Sequence, residues 1–170
     1  MLPQEPVTDY LTRFSGIVAG DLNPRTSRHQ LITATAAYWK LRYWLETRQC
    51  IFVGHGVRQD FWTANLVPPA AQLIDTVHLY HQPAQRFVSL RFVTNFVLQR
   101  DMQLDTHDSM EDAAAALELY KRAVELKQQE EEEKNDGGEG PFTKLLRELY
   151  ALGQRTDWKL GMGEMMEDEG

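Results

Sequence analysis

Cys50-Ile51-Phe52-Val53-Gly54-His55-Gly56-Val57-Arg58-Gln59-Asp60-Phe61 is the stretch on which the reading of this 170-residue chain turns. A short continuous apolar run that stops at a glycine turn has the form of a strand buried on both faces, as in a parallel sheet covered by helices. Asp60 follows at a helix start, and α/β folds gather their ligand sites at the carboxyl ends of such strands. An acid in a first helical turn equally serves to oppose the helix dipole. His55, set between two glycines, reads as a structural hydrogen-bonding residue.

Upstream, Ser27 with Gln30 matches a capping box, and Leu31, Ala34, Tyr38, Leu41 and Leu45 follow at helical spacing, predicting a helix over residues 28–47. Trp39, Tyr43 and Trp44 on that helix could stack on nucleic-acid bases. A helix that must cover a sheet places them in the core instead. Residues 1–24 are punctuated by Pro3, Pro6, Gly16, Gly20 and Pro24 and read as an irregular lead-in.

Downstream, a short helical stretch around Gln59–Asn65 and the Pro68-Pro69 break precede a second predicted strand, Leu73–Leu79. His78 and His81 at its end point to opposite faces, which argues against a metal site. Spacing of Leu90, Val93, Phe96 and Val97 predicts a helix over 89–99. A longer helix is predicted over 110–128, capped by Asp108 or Ser109, with Ala113, Ala116, Leu117, Tyr120 and Val124 on its apolar side. Residues 130–140 read as a solvated helix end and flexible linker, and Phe142, Leu145, Leu146, Leu149, Tyr150 and Leu152 as an amphipathic helix. The acidic residues at 161–170 are expected to be disordered.

Length and an apolar fraction of 42 % fit one ordinary domain with one hydrophobic core. At face value the net charge of −7 argues against a phosphate-binding surface, until that charge is located. Residues 1–129 hold 13 acidic and 13 basic side chains, and residues 130–170 hold 12 acidic and 5 basic. The core is therefore neutral, and 10 of its basic residues are arginines, including Arg42, Arg58, Arg86 and Arg91, suited to bidentate phosphate contacts. No apolar run is long enough for a membrane span, and no leader is evident, so the chain is expected to be cytosolic or nuclear. Cys50, alone, is expected to be a small buried hydrophobe. Only two strands are predicted for four helices, too little sheet for an independent α/β core, which suggests that something completing the sheet is missing.

The second chemistry-bearing pattern is Thr106-His107-Asp108-Ser109-Met110-Glu111-Asp112-Ala113. A His just before a helix and an acid in its first turn can share one cleft, as a general base and a metal-binding carboxylate must. Helix capping explains the same residues. The two patterns together, with Asp9–Ile17, Ile74-Asp75-Thr76-Val77 and Ser89-Leu90-Arg91-Phe92, resemble the DEDDh 3′→5′ exonucleases. Among these, the similarity is greatest to the catalytic subunits of poly(A)-nuclease deadenylation complexes. It covers roughly residues 9–127, and Leu145–Lys159 is similar to the C-terminal extension of fungal members.

That resemblance implies an α/β, RNase H-like exonuclease fold and two-metal hydrolysis of RNA with Mg²⁺. It implies that Asp60 and Asp112 are metal ligands and that His107 is the general base on the attacking water. Asp75 matches a position taken as structural. The implied task is 3′→5′ removal of poly(A) tails from mRNA in the cytoplasm and P-bodies. The implied partners are poly(A) RNA, a pseudokinase regulatory subunit and, indirectly, poly(A)-binding protein. Family members carry a first motif, Asp-x-Glu, on an opening strand; none occurs in the eight residues before Asp9. The chain is thus expected to be an N-terminally truncated exonuclease domain over 1–129. A linker (130–140), a helical extension (141–160) and a tail (161–170) follow, and the site is expected to be incomplete and inactive alone. A non-catalytic interaction remnant, and a DEDDh nuclease acting on DNA or other RNA, are the alternative readings.

Overall fold

A computed structural model describes residues 7–27, 29–47, 50–102, 108–133 and 138–159. The acidic tail expected to be disordered lies outside the described residues. Two compact units are formed. One comprises the described residues up to Thr76 with 108–116, and the other 77–102 with 117–133 and 138–159. Each has its own apolar cluster, so the expected single core is replaced by two. The strands are three residues each, too short to seat every helix, and the later helices bury their stripes against one another.

In the first unit the lead-in is less irregular than predicted: α1 (Thr12–Ser15) and a 3-10 turn over Ala19–Leu22 form within it. Helix α2 spans Ala34–Thr47 and does not begin near residue 28. The Ser27 hydroxyl is used locally, accepting from the His29 N–H at 3.0 Å. Thr33 caps instead, its Oγ1 accepting from the Ala36 N–H at 3.1 Å. Tyr38, Leu41 and Leu45 form the inward stripe of α2, packing with Phe52, Phe61, Leu66 and Leu73. Trp39, Tyr43 and Trp44 fall outside that stripe and are 58 %, 64 % and 47 % exposed, which corrects the expectation that they are core. Cys50 is half-buried, its thiol donating to the Trp44 carbonyl at 3.3 Å.

Strand β1 (Phe52–Gly54) pairs in parallel with β2 (Leu73–Asp75), in the register Phe52↔Leu73, Val53↔Ile74, Gly54↔Asp75. Two helical pieces separate them: α3 (Arg58–Thr63) and a 3-10 turn at Ala70–Gln72. Phe52 and Val53 are half-buried and Ile51 is exposed, so β1 is not covered on both faces; among the described residues its one neighbour is β2. The predicted second strand is cut short, because the chain turns helical in α4 (Thr76–Leu79). That turn also corrects the placement of the two histidines. Both rings pack on Phe87, at 5.3 Å for His78 and 4.4 Å for His81.

In the second unit α5 (Leu90–Leu98) is capped by Ser89, whose Oγ accepts from the Phe92 N–H. Helix α6 spans Ser109–Glu132, its residues up to Ala116 belonging to the first unit, and reaches further into the glutamate run than predicted. Its buried residues are Ala115, Ala116, Leu119, Ala123 and Leu126, while Leu117 is exposed. The predicted apolar face is thus out of phase, since the run of alanines from 113 to 116 carries no phase information. Helix α7 (Pro141–Arg155) starts with proline at its first position, where the missing N–H has no helical partner anyway. Phe92 and Val93 of α5, Leu119 and Leu126 of α6, and Phe142 and Leu149 of α7 meet in one cluster. The buried Tyr80 donates its hydroxyl to the Leu119 carbonyl at 2.9 Å, and burial pushes its phenol well above the ordinary range. Among the described residues no helix is long and apolar enough to cross a membrane.

Candidate active site

The parallel register brings the carboxyl ends of β1 and β2 together, with Gly54 opposite Asp75. The turn that leaves β1 requires its glycines. A Cβ on Gly54 would lie 2.6 Å from the Cβ of Val57, and Gly56 has φ +75°, a left-handed conformation that side chains disfavour. Helix α3 starts immediately after this turn and carries Asp60 in its first turn. The Asp60 carboxyl is held above the usual aspartate range, first because partial burial penalises its charge and second because the charge of Asp75 stands near it. Asp60, from the first turn of α3, and Asp75, from the end of β2, thus lie near one another.

Asp75 also fastens the turn, its Oδ1 accepting from the Gly56 N–H at 2.8 Å. Thr76, wholly buried, donates its hydroxyl to the Gly54 carbonyl at 3.0 Å, and its Oγ1 lies 2.9 Å from Nδ1 of His55. The structural hydrogen-bonding role expected of His55 is what the fold shows.

Asp112 lies in the first turn of α6 and is half-buried. Asp108 caps that helix, its Oδ1 accepting from the Met110 N–H at 2.8 Å and its carbonyl from the Asp112 N–H at 2.9 Å. Asp112 belongs to the same compact unit as Asp60 and Asp75. His107 lies outside the described residues. The pairing of Asp60 with Asp75 is invisible to motif spacing, because it depends on the strand register, which local spacing does not encode.

The oxygen donors of Asp60 and Asp112 suit a hard cation such as Mg²⁺, and a nearby positive charge would offset the repulsion between Asp60 and Asp75. By number the donors fall short: among the described residues no three His, Cys, Asp or Glu side chains converge as a metal site requires. The described residues therefore do not by themselves make up the two-metal centre of the resembled family.

Residues 2–120 match the family described as Exonuclease. The chain is 45 % identical over 159 residues to the PAN2-PAN3 deadenylation complex catalytic subunit PAN2 of Gallus gallus, and 43 % identical over 157 residues to that of Homo sapiens. Each match takes in 92 % of this chain and 12 % of the relative, so the chain spans about an eighth of their length. In structure it resembles the Saccharomyces cerevisiae Pan2 pseudoubiquitin hydrolase-RNA exonuclease module solved with A7 RNA. The TM-score is 0.81 at 34 % identity, covering 94 % of this chain and 25 % of that one. The mixed α/β arrangement, dominated by helices, is the RNase H-like exonuclease fold of that module. On the family match over residues 2–120 and this shared fold, the chain belongs to the exonuclease family.

Proposed function

We propose that this chain supplies part of the active site of a 3′→5′ exoribonuclease that removes poly(A) from mRNA, acting with a pseudokinase regulatory subunit. The observation that carries this reading is the placement of Asp60, in the first turn of the helix that follows β1, in one compact unit with Asp112 and beyond the carboxyl end of a parallel strand pair, inside the matched region. Relatives named as deadenylation catalytic subunits, and a similar module solved with A7 RNA, support poly(A) as the substrate.

In this reading Asp60 and Asp112 help hold divalent cations, and His107 accepts the proton of the attacking water. An unperturbed imidazole titrates near pH 6.5, which suits it to that task at neutral pH. Bound divalent ions supply the charge that stabilises an in-line phosphoryl displacement. The remaining carboxylates of the site come from outside the described residues.

The reading is tested by replacing the matching segment of the yeast Pan2 module with residues 2–120 of this chain and following Mg²⁺-dependent shortening of 5′-labelled oligo(A). The chimera is expected to be active, and Asp60→Asn or Asp112→Asn to abolish its activity. Full activity in both variants would overturn the proposal.

A further inference from the structure

Two adjacent residues at the end of β2 make three hydrogen bonds to three consecutive residues of the turn after β1. Asp75 takes the Gly56 N–H, Thr76 gives its hydroxyl proton to the Gly54 carbonyl, and Thr76 Oγ1 contacts His55 Nδ1. A hydroxyl has one proton, and Thr76 has spent it on Gly54. The contact with His55 therefore requires the proton on Nδ1, with Thr76 as acceptor. Thr76 is 0 % exposed, so any partner it lost would leave a polar group stranded in the interior.

The ladder of the sheet ends at the Gly54↔Asp75 pair and cannot by itself fix the turn beyond it. Gly54 and Gly56 have no side chains with which to anchor themselves, and Gly56 sits at φ +75°. α3 begins at Arg58, directly after this turn, so the direction in which Asp60 leaves the helix depends on how the turn is held.

We propose that Asp75 and Thr76 are positioning residues that lock Gly54, His55 and Gly56 in one conformation and so aim α3 and the Asp60 carboxyl into the site. The brace stands on its own hydrogen bonds; its consequence for turnover rests on the exonuclease reading. Supporting partners of this kind are worth about 10–100-fold in metal affinity or activity.

The brace is read by NMR on the full chain at mildly alkaline pH. His55 is expected as the Nδ1–H tautomer in the wild type and in Thr76→Ser, and to shift toward Nε2–H in Thr76→Val. The Gly56 amide is expected to exchange slowly in the wild type and in Asp75→Asn, which keeps an acceptor oxygen, and quickly in Asp75→Ala. Should Thr76→Val fail to fold, the half-buried Asp75 pair decides the matter. In the yeast chimera, Thr76→Val is expected to lower turnover about 10–100-fold with KM for oligo(A) unchanged, and Thr76→Ser to restore it. An Nε2–H tautomer in the wild type, equal Gly56 exchange in all Asp75 variants, or wild-type turnover in a folded Thr76→Val would overturn the proposal. Turnover indifferent to Asp60→Asn would instead overturn the exonuclease reading, while the tautomer and the exchange rates would still decide the brace.

Discussion

The hydroxyl of Tyr150 in α7 donates to the carbonyl of Arg86 at 2.8 Å, across 64 positions of sequence, and accepts from the Gln82 N–H at 3.3 Å. A single residue of the C-terminal helix thereby ties down the loop that leads into α5. Tyr150 is 3 % exposed, so the bonds it makes are shielded from water.

Tyr150→Phe keeps the ring and removes those bonds. It should cost about 1–3 kcal/mol, the penalty for leaving shielded polar groups unpaired, and should speed exchange of the Gln82 amide. Chemical denaturation with hydrogen exchange measures both. An unchanged midpoint and unchanged exchange would mean that the loop is held by other contacts.

Trp158 closes over the same region. Its ring packs on Phe92 and Tyr150, receives the Arg86 guanidinium at 5.0 Å from its centroid, and fills the space that a Cβ on Gly153 would need. Gly153→Ala should therefore displace the indole and cost about 1–3 kcal/mol. In a background where Trp39, Trp44 and Trp62 are phenylalanine, the fluorescence of Trp158 should shift to the red. An unshifted spectrum would place the indole elsewhere.

On α2 the contrast between the outward and inward faces is sharp. Trp39 is 58 % exposed and Leu45 is 8 % exposed. Trp39→Ala should stay within about 0.5 kcal/mol of the wild-type chain, whereas Leu45→Ala should cost about 2–5 kcal/mol. Equal large losses for both would show that the aromatic face is buried after all.

Glu139, just before α7, is bound by a forked pair of hydrogen bonds from Arg147, Nε at 3.0 Å and Nη2 at 3.0 Å. That bonding holds the Glu139 carboxyl below the ordinary glutamate range. A lowered folded value means that the folded state releases this proton more readily than the unfolded chain does. The pair's contribution is therefore present above the unfolded value and lost as pH falls through the folded one. NMR titration of Glu139 should show a depressed midpoint that returns to normal in Arg147→Gln; a midpoint unmoved by that change would rule out the fork.

How much of this could be read from the sequence depended on whether the signal was local. Helices α5 and α7 were legible from apolar spacing alone, and the structure adds Ser89 as the cap of one and Pro141 at the start of the other. The start of α2 was misplaced because Ser27 with Gln30 has the form of a capping box, while the hydroxyl that caps belongs to Thr33. Leu73–Leu79 read as one strand because apolar and β-branched residues, Leu73, Ile74, Thr76, Val77 and Leu79, dominate it. The turn at Thr76 is made by bonds to residues more than twenty positions earlier, which no local pattern records. For the site, Asp60 and Asp112 stand out in the sequence only as acids in first helical turns, and their role as metal ligands is what the family resemblance implies; the approach of Asp75 to Asp60 and the fastening of loop 82–86 by Tyr150 are products of register and packing.

The proposed role of His107 as the general base is decided by the single-turnover rate of oligo(A) shortening in the yeast chimera with and without His107→Ala. Loss of a general base should slow that step about 10²–10⁴-fold while oligo(A) binding stays unchanged. Shortening at the full rate by the His107→Ala chimera would show that His107 is not the base and that the proposed catalytic role is wrong.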